Sequence, residues 1–559
     1  MTLPWAQDYD PGVPLTIGPV TTSLPSLLLD AVQRSPQAPA LVFFGLTITY
    51  GELNTHTARL AHALKGLGLA PGQRVGIFLP NSPQLVIAYH AVLRLGGVAV
   101  MLNPLLSTKE LQHQLADSGA RRLILLDHFF PKLKQIRGRT DLTQIIVTGL
   151  RDSLPWPLKW LYPFKARREG LHLGFEPAPN HYAWSKMLKH PPLAVSSLPE
   201  PGDLAVLQYT GGTTGVPKAA MLTHGNLMAN VAQINAWLPR VRYGEERLIG
   251  LLPFSHSFGL TACLNWPMSQ GATILVLPRF EINGFIKAMQ KYRPTMLPGV
   301  PTLFVALIND PRLPTLDFSE LWACISGSAP LPLEVRDRFE SLSHCTILEG
   351  YGLTEAAPVT HFNPIQGKRP PGSMGLPLPS TLAKVMDAET GTQELPPGAE
   401  GELVVSGPQV MEEYWQNPDE TAMVLRDGWL YTGDLARMDE DGYFYIVERK
   451  KDLIIAGGYK IYPREVEEVL YQHPGVKEAA AFGVPDDYRG ETVKAVIVPV
   501  DGASLTAADI EAHCRGLLAV YKVPKIIEFR TELPKSLVGK VLRRVLKEEG
   551  AVAAPASSP

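Results

Sequence analysis

The sequence predicts an α/β fold, with a large N-terminal domain of wound β-sheets flanked by helices and a small α+β C-terminal domain. Three observations support this prediction. The chain has 559 residues, more than one hydrophobic core usually organises. Strand-like and helix-like segments alternate along residues 43–127 and 247–349, which is typical of parallel βαβ units. Near residue 449 the pattern changes to short charged runs and a compact α+β order.

Local signals mark individual elements. The FFG run at residues 43–45 predicts a tight turn between two strands. Thr49 with Glu52, and Ser107 with Glu110, are capping-box patterns that predict helix starts. The predicted strands lie at residues 74–79, 98–102, 122–127, 203–209, 247–252, 271–277, 321–326 and 346–349.

Composition and charge exclude several classes of protein. The chain carries 52 Lys and Arg against 54 Asp and Glu, a net charge of −2, which gives no electrostatic basis for nucleic-acid binding. Its four cysteines lack Cys-x-x-Cys spacing, so neither a disulfide framework nor a zinc site is indicated. The N-terminus does not resemble a signal peptide, and no run of about 18 apolar residues occurs. We therefore expect a soluble, cytoplasmic protein.

The stretch LQYTGGTTGVPKAAML at residues 207–222 has the chemistry of a phosphate-binding loop. Glycines admit the positive φ angles that turn successive N–H groups inward, and Lys218 adds a mobile charge for the same anion. Val216 and Pro217 separate the last glycine from this lysine, so the loop differs from the ordinary P-loop; a turn that binds nothing stays the alternative. The loop residues are Thr210, Gly211, Gly212, Thr213, Thr214 and Gly215.

Residues 155–168 mix aromatic and basic side chains. This combination suits a bilayer interface, where aromatic rings and cations settle at headgroup level. Three prolines in the segment argue against a regular long helix. The alternative is a surface insertion whose aromatic side chains pack on the protein body.

Seven motifs then occur in one order: YTGGTTGVPK (209–218), PFSHSFG (253–259), SGSAP (326–330), YGLTE (351–355), YTGD (431–434), ERKKDLIIAGGYKIYP (448–463) and PKSLVGKVLRR (534–544). This set resembles the adenylate-forming superfamily of acyl-CoA synthetases, luciferases and peptide-synthetase adenylation domains, over about residues 21–547. The TGGTTG loop and the GVPTLF run at residues 299–304 are most similar to long-chain fatty acyl-CoA ligases.

The resemblance implies a two-step reaction. A carboxylate and ATP form an acyl adenylate and pyrophosphate, and the acyl group then passes to the thiol of coenzyme A, with Mg²⁺ assisting the first step. It also implies an ATP- and acyl-binding domain (residues 1–448), a hinge (449–452) and a mobile domain with the catalytic lysine (453–559).

The resemblance carries catalytic roles to four residues. Lys540 matches the lysine that reaches from the C-terminal domain to the substrate carboxylate and the α-phosphate. Glu355 matches the Mg²⁺ ligand, Thr354 the hydroxyl at the α-phosphate, and Lys218 the cation beside the loop. A solvated lysine in a basic run is the alternative for Lys540, and a helix cap for the Thr-Glu pair.

Binding roles follow in the same way. The resemblance gives Asp434 and Arg449 to the ribose, Lys451 to the hinge and Gly458 to the pantetheine tunnel. His256 matches a position that borders the acyl carboxylate. Residues matched to the adenine pocket are Tyr351, Gly352, Ser328, Ala329 and Pro330. Candidates for the acyl tunnel, for which ordinary core packing stays the alternative, are Phe254, Phe258, Val300 and Phe304.

The sequence therefore predicts an Mg²⁺- and ATP-dependent ligase for a long-chain fatty acid and coenzyme A. We allow for peripheral contact with a membrane surface and for a homodimer. One alternative is an adenylating enzyme for a medium-chain or aryl acid, or for a carrier-protein thiol. The other is a noncatalytic lipid-binding protein derived from a ligase.

Overall fold

A computed structural model describes residues 3–136, 138–171, 173–194, 197–210, 217–450, 452–456, 459–486, 489–536 and 539–552. The fold is α/β, with a large N-terminal part of mixed sheets flanked by helices and a small C-terminal part. The predicted fold class is confirmed.

The described residues contain the strands β1 (Pro39–Phe43), β2 (Leu46–Thr49), β3 (Arg74–Phe78), β4 (Val98–Met101), β5 (Arg122–Leu126), β6 (Gln144–Thr148), β7 (His181–Ala183), β8 (Leu204–Thr210), β9 (Lys218–Thr223), β10 (Arg247–Gly250), β11 (Thr273–Val276), β12 (Met296–Gly299), β13 (Ala323–Ser326), β14 (Ile347–Gly352), β15 (Val359–Phe362), β16 (Leu376–Pro377), β17 (Leu382–Met386), β18 (Gly401–Ser406), β19 (Leu425–Arg426), β20 (Trp429–Met438), β21 (Phe444–Arg449), β22 (Ile454–Ala456), β23 (Tyr459–Ile461), β24 (Val476–Asp486), β25 (Gly490–Pro499) and β26 (Ile526–Phe529).

The helices are α1 (Pro25–Arg34), α2 (Tyr50–Gly66), α3 (Pro83–Arg94), α4 (Thr108–Asp117), α5 (Phe130–Ile136), α6 (Leu158–Arg168), α7 (Trp184–Met187), α8 (His224–Trp237), α9 (Ser257–Leu260), α10 (Trp266–Ser269), α11 (Ile282–Tyr292), α12 (Pro301–Ile308), α13 (Leu333–Ser343), α14 (Pro418–Val424), α15 (Pro463–Tyr471), α16 (Ala507–Leu517) and α17 (Arg543–Val552). Short 3₁₀ segments lie at Pro4–Asp8, Asp127–Phe129, Leu150–Ser153, Leu313–Thr315 and Thr354–Ala356, and a π-helical turn at Thr261–Asn265.

Two large sheets form the body. One has the order β7-β6-β5-β3-β4-β8-β9, parallel except for β9, which returns antiparallel to β8. The other has the order β16-β15-β14-β13-β12-β10-β11-β1-β2, and its strands from β14 to β1 are parallel. The alternation of strands and helices along the sequence thus corresponds to parallel crossovers.

Two smaller sheets complete the fold. The antiparallel strands β17, β18, β20, β19 and β21 form one, and β23, β22, β25, β24 and β26 form the other. Sheet membership changes between Arg449, which ends β21, and Ile454, which begins β22. The second small sheet also has apolar clusters of its own, built around residues such as Val466 and Val496. The predicted hinge falls in this interval, with Lys451 outside the described residues, and its role as a hinge stays a prediction.

The local signals formed as predicted. Thr49 and Glu52 make both bonds of a capping box at the start of α2, and Ser107 and Glu110 do so at α4. The turn between β1 and β2 places Phe44 and Gly45 at positive φ, as a tight hairpin requires.

The carboxyl ends of the two large sheets face each other. Asn81, after β3, donates its side-chain N–H to the Leu252 carbonyl at 2.8 Å and accepts the Phe254 N–H at 2.8 Å. Because both of those residues follow β10, one side chain ties the two carboxyl edges together. Thr210, at the end of β8, lies on the same edge of its sheet. Parallel α/β sheets bind ligands at this kind of edge.

The aromatic-basic stretch differs from the expectation. It contains a helix of 11 residues, α6, with Pro163 inside it. A missing N–H removes one backbone bond, which a short surface helix tolerates. Within the described ranges, no helix is long and apolar enough to cross a membrane.

Candidate active site

Lys218 is held beside an acid and a tyrosine ring. It begins β9 and pairs in register with Thr210, so strand geometry brings both ends of the predicted phosphate loop together. Its buried ammonium pairs with the Glu420 carboxylate and lies 5.5 Å from the centre of the Tyr414 ring. The loop residues Gly211, Gly212, Thr213, Thr214 and Gly215 lie outside the described residues.

Tyr414 links this lysine to Glu355. Its hydroxyl donates to Glu355 Oε1 at 2.7 Å, and the Glu355 carbonyl accepts from the Met411 N–H at 2.7 Å. Thr354 Oγ1 lies 3.3 Å from the hydroxyl of buried Ser257. These contacts fix the turn after β14, and Tyr414 connects the Glu355 carboxylate to Lys218.

Tyr351, Asp434 and Arg449 form a second polar group. The Tyr351 hydroxyl donates to Asp434 Oδ2 at 2.7 Å, and Arg449 Nε lies 3.4 Å from Asp434 Oδ1. Asp434 and Arg449 face each other across β20 and β21, which explains their pairing. Burial and Asp434 raise the pKa of the Tyr351 hydroxyl well above its usual value, so it remains a donor. A carboxylate held in this way can accept from two vicinal hydroxyls.

The SGSAP loop follows β13. Ser328 takes a φ of 70°, a strained value for a residue with a side chain, and Ala329 is half-buried while Pro330 is exposed. Gly352 sits on the neighbouring strand, where an added Cβ would overlap the Pro358 carbonyl oxygen. Glycine is therefore required there by backbone contact, whether or not a ligand binds.

A tight turn delivers Lys540 to this cleft. The Lys540 N–H donates to Ser536 Oγ at 3.2 Å, and the Ser536 N–H donates to the Lys540 carbonyl at 2.8 Å. Gly539 has a φ of 68°, and a Cβ on it would overlap Thr302 Oγ1 on α12. The turn thus rests on the large lobe with no room for a side chain at Gly539.

The environment of Lys540 is unfavourable for its charge. Burial, followed by repulsion from Arg449, lowers the pKa of the ammonium to about 7. Arg543 acts in the same direction, whereas Asp434 and Asp452 oppose the shift. An anion in this cleft would relieve the repulsion and restore the charge.

His256 lies close to Lys540. Burial and then Lys540 lower the pKa of its imidazole to about 4, so the ring is neutral at physiological pH. Nδ1 accepts the Phe258 N–H at 3.3 Å, which assigns the proton to Nε2. Beside Lys540, His256 therefore offers a neutral N–H donor.

An apolar cavity lies behind the SGSAP loop. Its walls join α8, α10, β13 and β15, and the Phe258 ring lies against Gly327 of the loop. Of the predicted tunnel residues it includes Phe258, whereas Phe254 packs against Gly250 and Phe304 against Phe339. The lining residues are Ile234, Trp237, Leu238, Phe258, Ala262, Trp266, Ile325, Val359, Phe362 and Leu378.

Val300 lies beside Gly539. Its Cγ2 would lie 3.1 Å from a Cβ on Gly539, so it borders the place where the Lys540 turn rests. The predicted roles of Val300, Phe254 and Phe304 in an acyl tunnel stay predictions.

An ion-pair cluster ties the two lobes together. Arg543 Nη1 lies 3.2 Å from Glu448 Oε1 on β21 and 3.5 Å from Asp452 Oδ2, and Nη2 lies 2.7 Å from Glu467 Oε2 on α15. Buried Glu448 also accepts the Arg464 N–H at 3.0 Å. One guanidinium therefore bridges residues on both sides of positions 449–452. Gly458, like Lys451, lies outside the described residues.

Several residues that contact the site were not predicted from the sequence: Tyr414, Glu420, Ser257, Thr302 and Arg543. The spacing of Asn417 and Glu420 predicts the start of a helix, and the Asn417 side chain does cap α14. That signal explains the helix but not the pairing of Glu420 with Lys218. Arg543 lay in a basic run whose charges usually face solvent.

The chain matches two protein-family models and resembles known CoA ligases and synthases. A family model described as AMP-binding enzyme matches residues 28–415, and one described as AMP-binding enzyme C-terminal domain matches residues 465–540. The chain is 45% identical over 549 residues to a long-chain-fatty-acid–CoA ligase of Bacillus subtilis, with 98% of each chain covered. It is 37% identical over 513 residues to a feruloyl-CoA synthase of Amycolatopsis sp, covering 91% of this chain and 96% of that one.

Solved structures share the fold over nearly the whole chain. An anthranilate CoA ligase in complex with anthranoyl-AMP aligns with a TM-score of 0.85 at 27% identity, covering 96% of this chain and 99% of that one. ATP-bound MatB from Rhodopseudomonas palustris aligns with a TM-score of 0.83 at 32% identity, covering 95% and 99%. These findings confirm the resemblance inferred from the motifs.

Replacing Phe254 tests whether its side chain belongs to the hydrophobic core or lines a cavity. Because its ring is fully buried against Gly250, we expect Phe254→Ala to lower the free energy of unfolding by about 3–5 kcal/mol. Phe280→Ala, at a 38% exposed site, should cost less than about 1 kcal/mol. Urea unfolding of both variants measures this. A cost for Phe254→Ala as small as the control would indicate that the ring lines a cavity.

Proposed function

The chain belongs to the family of AMP-binding enzymes, and we propose that it is an ATP-dependent ligase that joins a long-chain fatty acid to coenzyme A through an acyl adenylate. The observation that carries this proposal is the full-length similarity to a long-chain-fatty-acid–CoA ligase, with 98% of each chain covered. The gathering of Lys540, His256, Asp434 and Arg449 in one cleft supports it.

Adenylate formation brings a carboxylate onto the α-phosphorus, so negative charge must be neutralised as the two anions meet. Lys540 supplies a positive charge, and the His256 N–H orients the carboxylate without adding charge. Asp434 holds the ribose hydroxyls, which fixes the position of the α-phosphate.

Lys218 acts on the phosphates in this proposal. Glu420 pairs with its ammonium, and phosphate oxygens that enter the cleft compete with that carboxylate for it. The Tyr414 ring beside Lys218 favours the cation in either position.

The residues present also fit Mg²⁺. A carboxylate offers about four acceptor sites, so the Tyr414 bond leaves Glu355 able to bind a hard cation. Glu355 and Thr354 would hold the ion, which when bound neutralises phosphate charge. The proposal thus includes Mg²⁺. It also includes a homodimer, a cytoplasmic location and contact with a membrane.

Thioester formation requires the small lobe to move. Lys540 occupies the cleft in this arrangement, and the thiol must later approach the acyl carbon beside it. We assign the rotation to residues 449–452, so that Arg543 keeps its pair with Glu467 and releases Glu448. Gly458 lies outside the described residues, and its place beside the thiol arm stays a prediction from the sequence.

An aryl acid is the second candidate substrate, because a feruloyl-CoA synthase is 37% identical to the chain. Pyrophosphate release measured across fatty and aryl acids, with and without coenzyme A, tests both. We expect the highest kcat/KM with long-chain fatty acids and full turnover only with coenzyme A. Preference for aryl acids would replace the fatty-acid proposal, and absence of ATP-dependent pyrophosphate release would favour a noncatalytic lipid-binding protein.

Lys540→Ala should separate the two half-reactions. Loss of one charge-stabilising donor lowers the rate of adenylate formation by roughly 10²- to 10³-fold. Thioester formation from preformed acyl adenylate should change far less, since the lysine has left the cleft by then. Single-turnover assays of each step measure this, and equal losses in both would contradict the role.

The pH dependence of the first step should follow the Lys540 ammonium. Because its pKa is lowered to about 7, the charged form is lost as pH rises through that value in the free enzyme. We expect kcat/KM for ATP to fall above about pH 7, and Lys540→Arg to remove that fall because arginine stays charged. An identical pH profile in both enzymes would exclude Lys540 as its source.

Glu448→Gln tests the ion-pair cluster. The substitution weakens the bridge to Arg543 in the arrangement that holds Lys540 in the cleft, so we expect adenylate formation to slow by about tenfold, the effect of 1.4 kcal/mol. Thioester formation from acyl adenylate should be unchanged or faster. The control is Glu467→Gln, whose pair with Arg543 lies within the small lobe and should affect both steps. If Glu448→Gln slowed both steps equally, the ion-pair cluster would not have this role.

A further inference from the structure

Four large apolar side chains are exposed on one small region of the surface. The exposed fractions are 78% for Trp156, 71% for Trp160, 57% for Leu161 and 71% for Phe164. The last three lie on α6 at spacings of one and four residues, so they share its outer face. Exposed groups of this size in one place mark an interaction surface.

Basic side chains surround these apolar groups. Lys159, Lys165, Arg167 and Arg168 are all exposed, and residues 156–168 contain no acidic residue. The next residue, Glu169, lies 3.8 Å from Lys165 and partly offsets its charge. The whole chain, by contrast, carries a net charge of −2. We call the four apolar and four basic side chains the aromatic-basic patch. Its occupant must be both apolar and anionic.

The patch rests on a fixed part of the fold. Ala166 is buried and Tyr162 half-buried, so the opposite face of α6 packs on the protein. The segment follows β6, and after it the Gly174 N–H donates to Asp127, at the end of β5, at 3.4 Å. The helix therefore covers the carboxyl ends of β5 and β6.

We propose that the aromatic-basic patch docks the enzyme on an anionic phospholipid membrane. Tryptophan rings settle among lipid headgroups, and lysine and arginine pair with their phosphates while the stems stay in apolar surroundings. The four cations supply the charge complementarity that distinguishes an anionic bilayer from an uncharged apolar partner. A partner that offered charge alone would leave the four apolar groups of the patch exposed to water.

Docking there deepens the proposed function, on which it rests. The carboxyl edge that α6 covers also carries Thr210 and the Asn81 link to the Phe254 region. A membrane against the patch lies beside the edge at which nucleotide and acid meet. Long-chain fatty acids partition into bilayers, so a docked enzyme takes its acid from lipid rather than from dilute solution.

Vesicle binding tests the proposal directly. We expect the full-length enzyme to float with phosphatidylcholine vesicles that contain phosphatidylglycerol, and to bind at least tenfold more weakly without it or at high salt. Trp160→Ser/Phe164→Ser should lower binding at least tenfold, and Arg167→Gln/Arg168→Gln by about 25-fold, at about fivefold per charge. The matched control is Val520→Ser/Lys525→Gln, an exposed apolar and basic pair on the small lobe, which should bind like the wild type.

A kinetic comparison separates docking from catalysis. With a short, water-soluble fatty acid, Trp160→Ser/Phe164→Ser should release pyrophosphate within twofold of the wild type. With a long-chain acid supplied in anionic vesicles, its KM should rise about tenfold at unchanged kcat. An enzyme inactive with every acid would instead contradict the proposed function, whereas vesicle binding would still report on the patch.

Three results would overturn the proposal. They are no binding of the wild type to anionic vesicles, equal binding by the patch variants and the control, or a self-association in solution that the patch variants abolish. The last result would assign the patch to a second copy of the chain, and sedimentation velocity measures it.

Discussion

The contact between the Gly539–Lys540 turn and the large lobe is the constraint on which the site depends. It needs a glycine at position 539, because a Cβ there would overlap Thr302. The contact places Lys540 in a cleft where burial and Arg449 lower the pKa of its ammonium. A lysine held in this way is stabilised by an incoming anion and destabilised without one. In the proposed function, phosphate and carboxylate would therefore favour the arrangement with Lys540 in the cleft, which we call the closed arrangement.

Lys218 is a second buried lysine that, in the proposed function, meets a substrate anion. Its ammonium contacts the Glu420 carboxylate and the Tyr414 ring. Tyr414 joins this lysine to Glu355, so the start of β9 and the turn after β14 are connected. Arg543 plays the corresponding part between the lobes, since it pairs with acids on both sides of positions 449–452. Lys218 lies beside a protein carboxylate and, in the proposed function, also meets a substrate anion. Arg543 lies between protein carboxylates.

Much of the fold could be predicted from the sequence because its signals are local. Capping boxes at Thr49 and Ser107, and the turn at residues 43–45, act within a few residues. The side chains predicted to bind the ribose were identified through motifs, and β20 and β21 do bring Asp434 and Arg449 together. What could not be predicted depends on long-range packing. Glu420 and Lys218 are 202 residues apart in the chain, and no local pattern pairs them. Phe254 and Phe258 have similar sequence surroundings, yet only Phe258 is among the residues that line the cavity.

Trapping the closed arrangement tests the central claim most directly. The Tyr462 hydroxyl on the small lobe donates to Glu400 on the large lobe at 2.7 Å, in exposed surroundings, and the four native cysteines are buried. A Glu400→Cys/Tyr462→Cys enzyme joined by a short bismaleimide therefore keeps Lys540 in the cleft. We predict that it releases one pyrophosphate per enzyme from ATP and fatty acid and forms no acyl-CoA. Acyl-CoA formation by the cross-linked enzyme at the rate of the uncross-linked one would contradict the account.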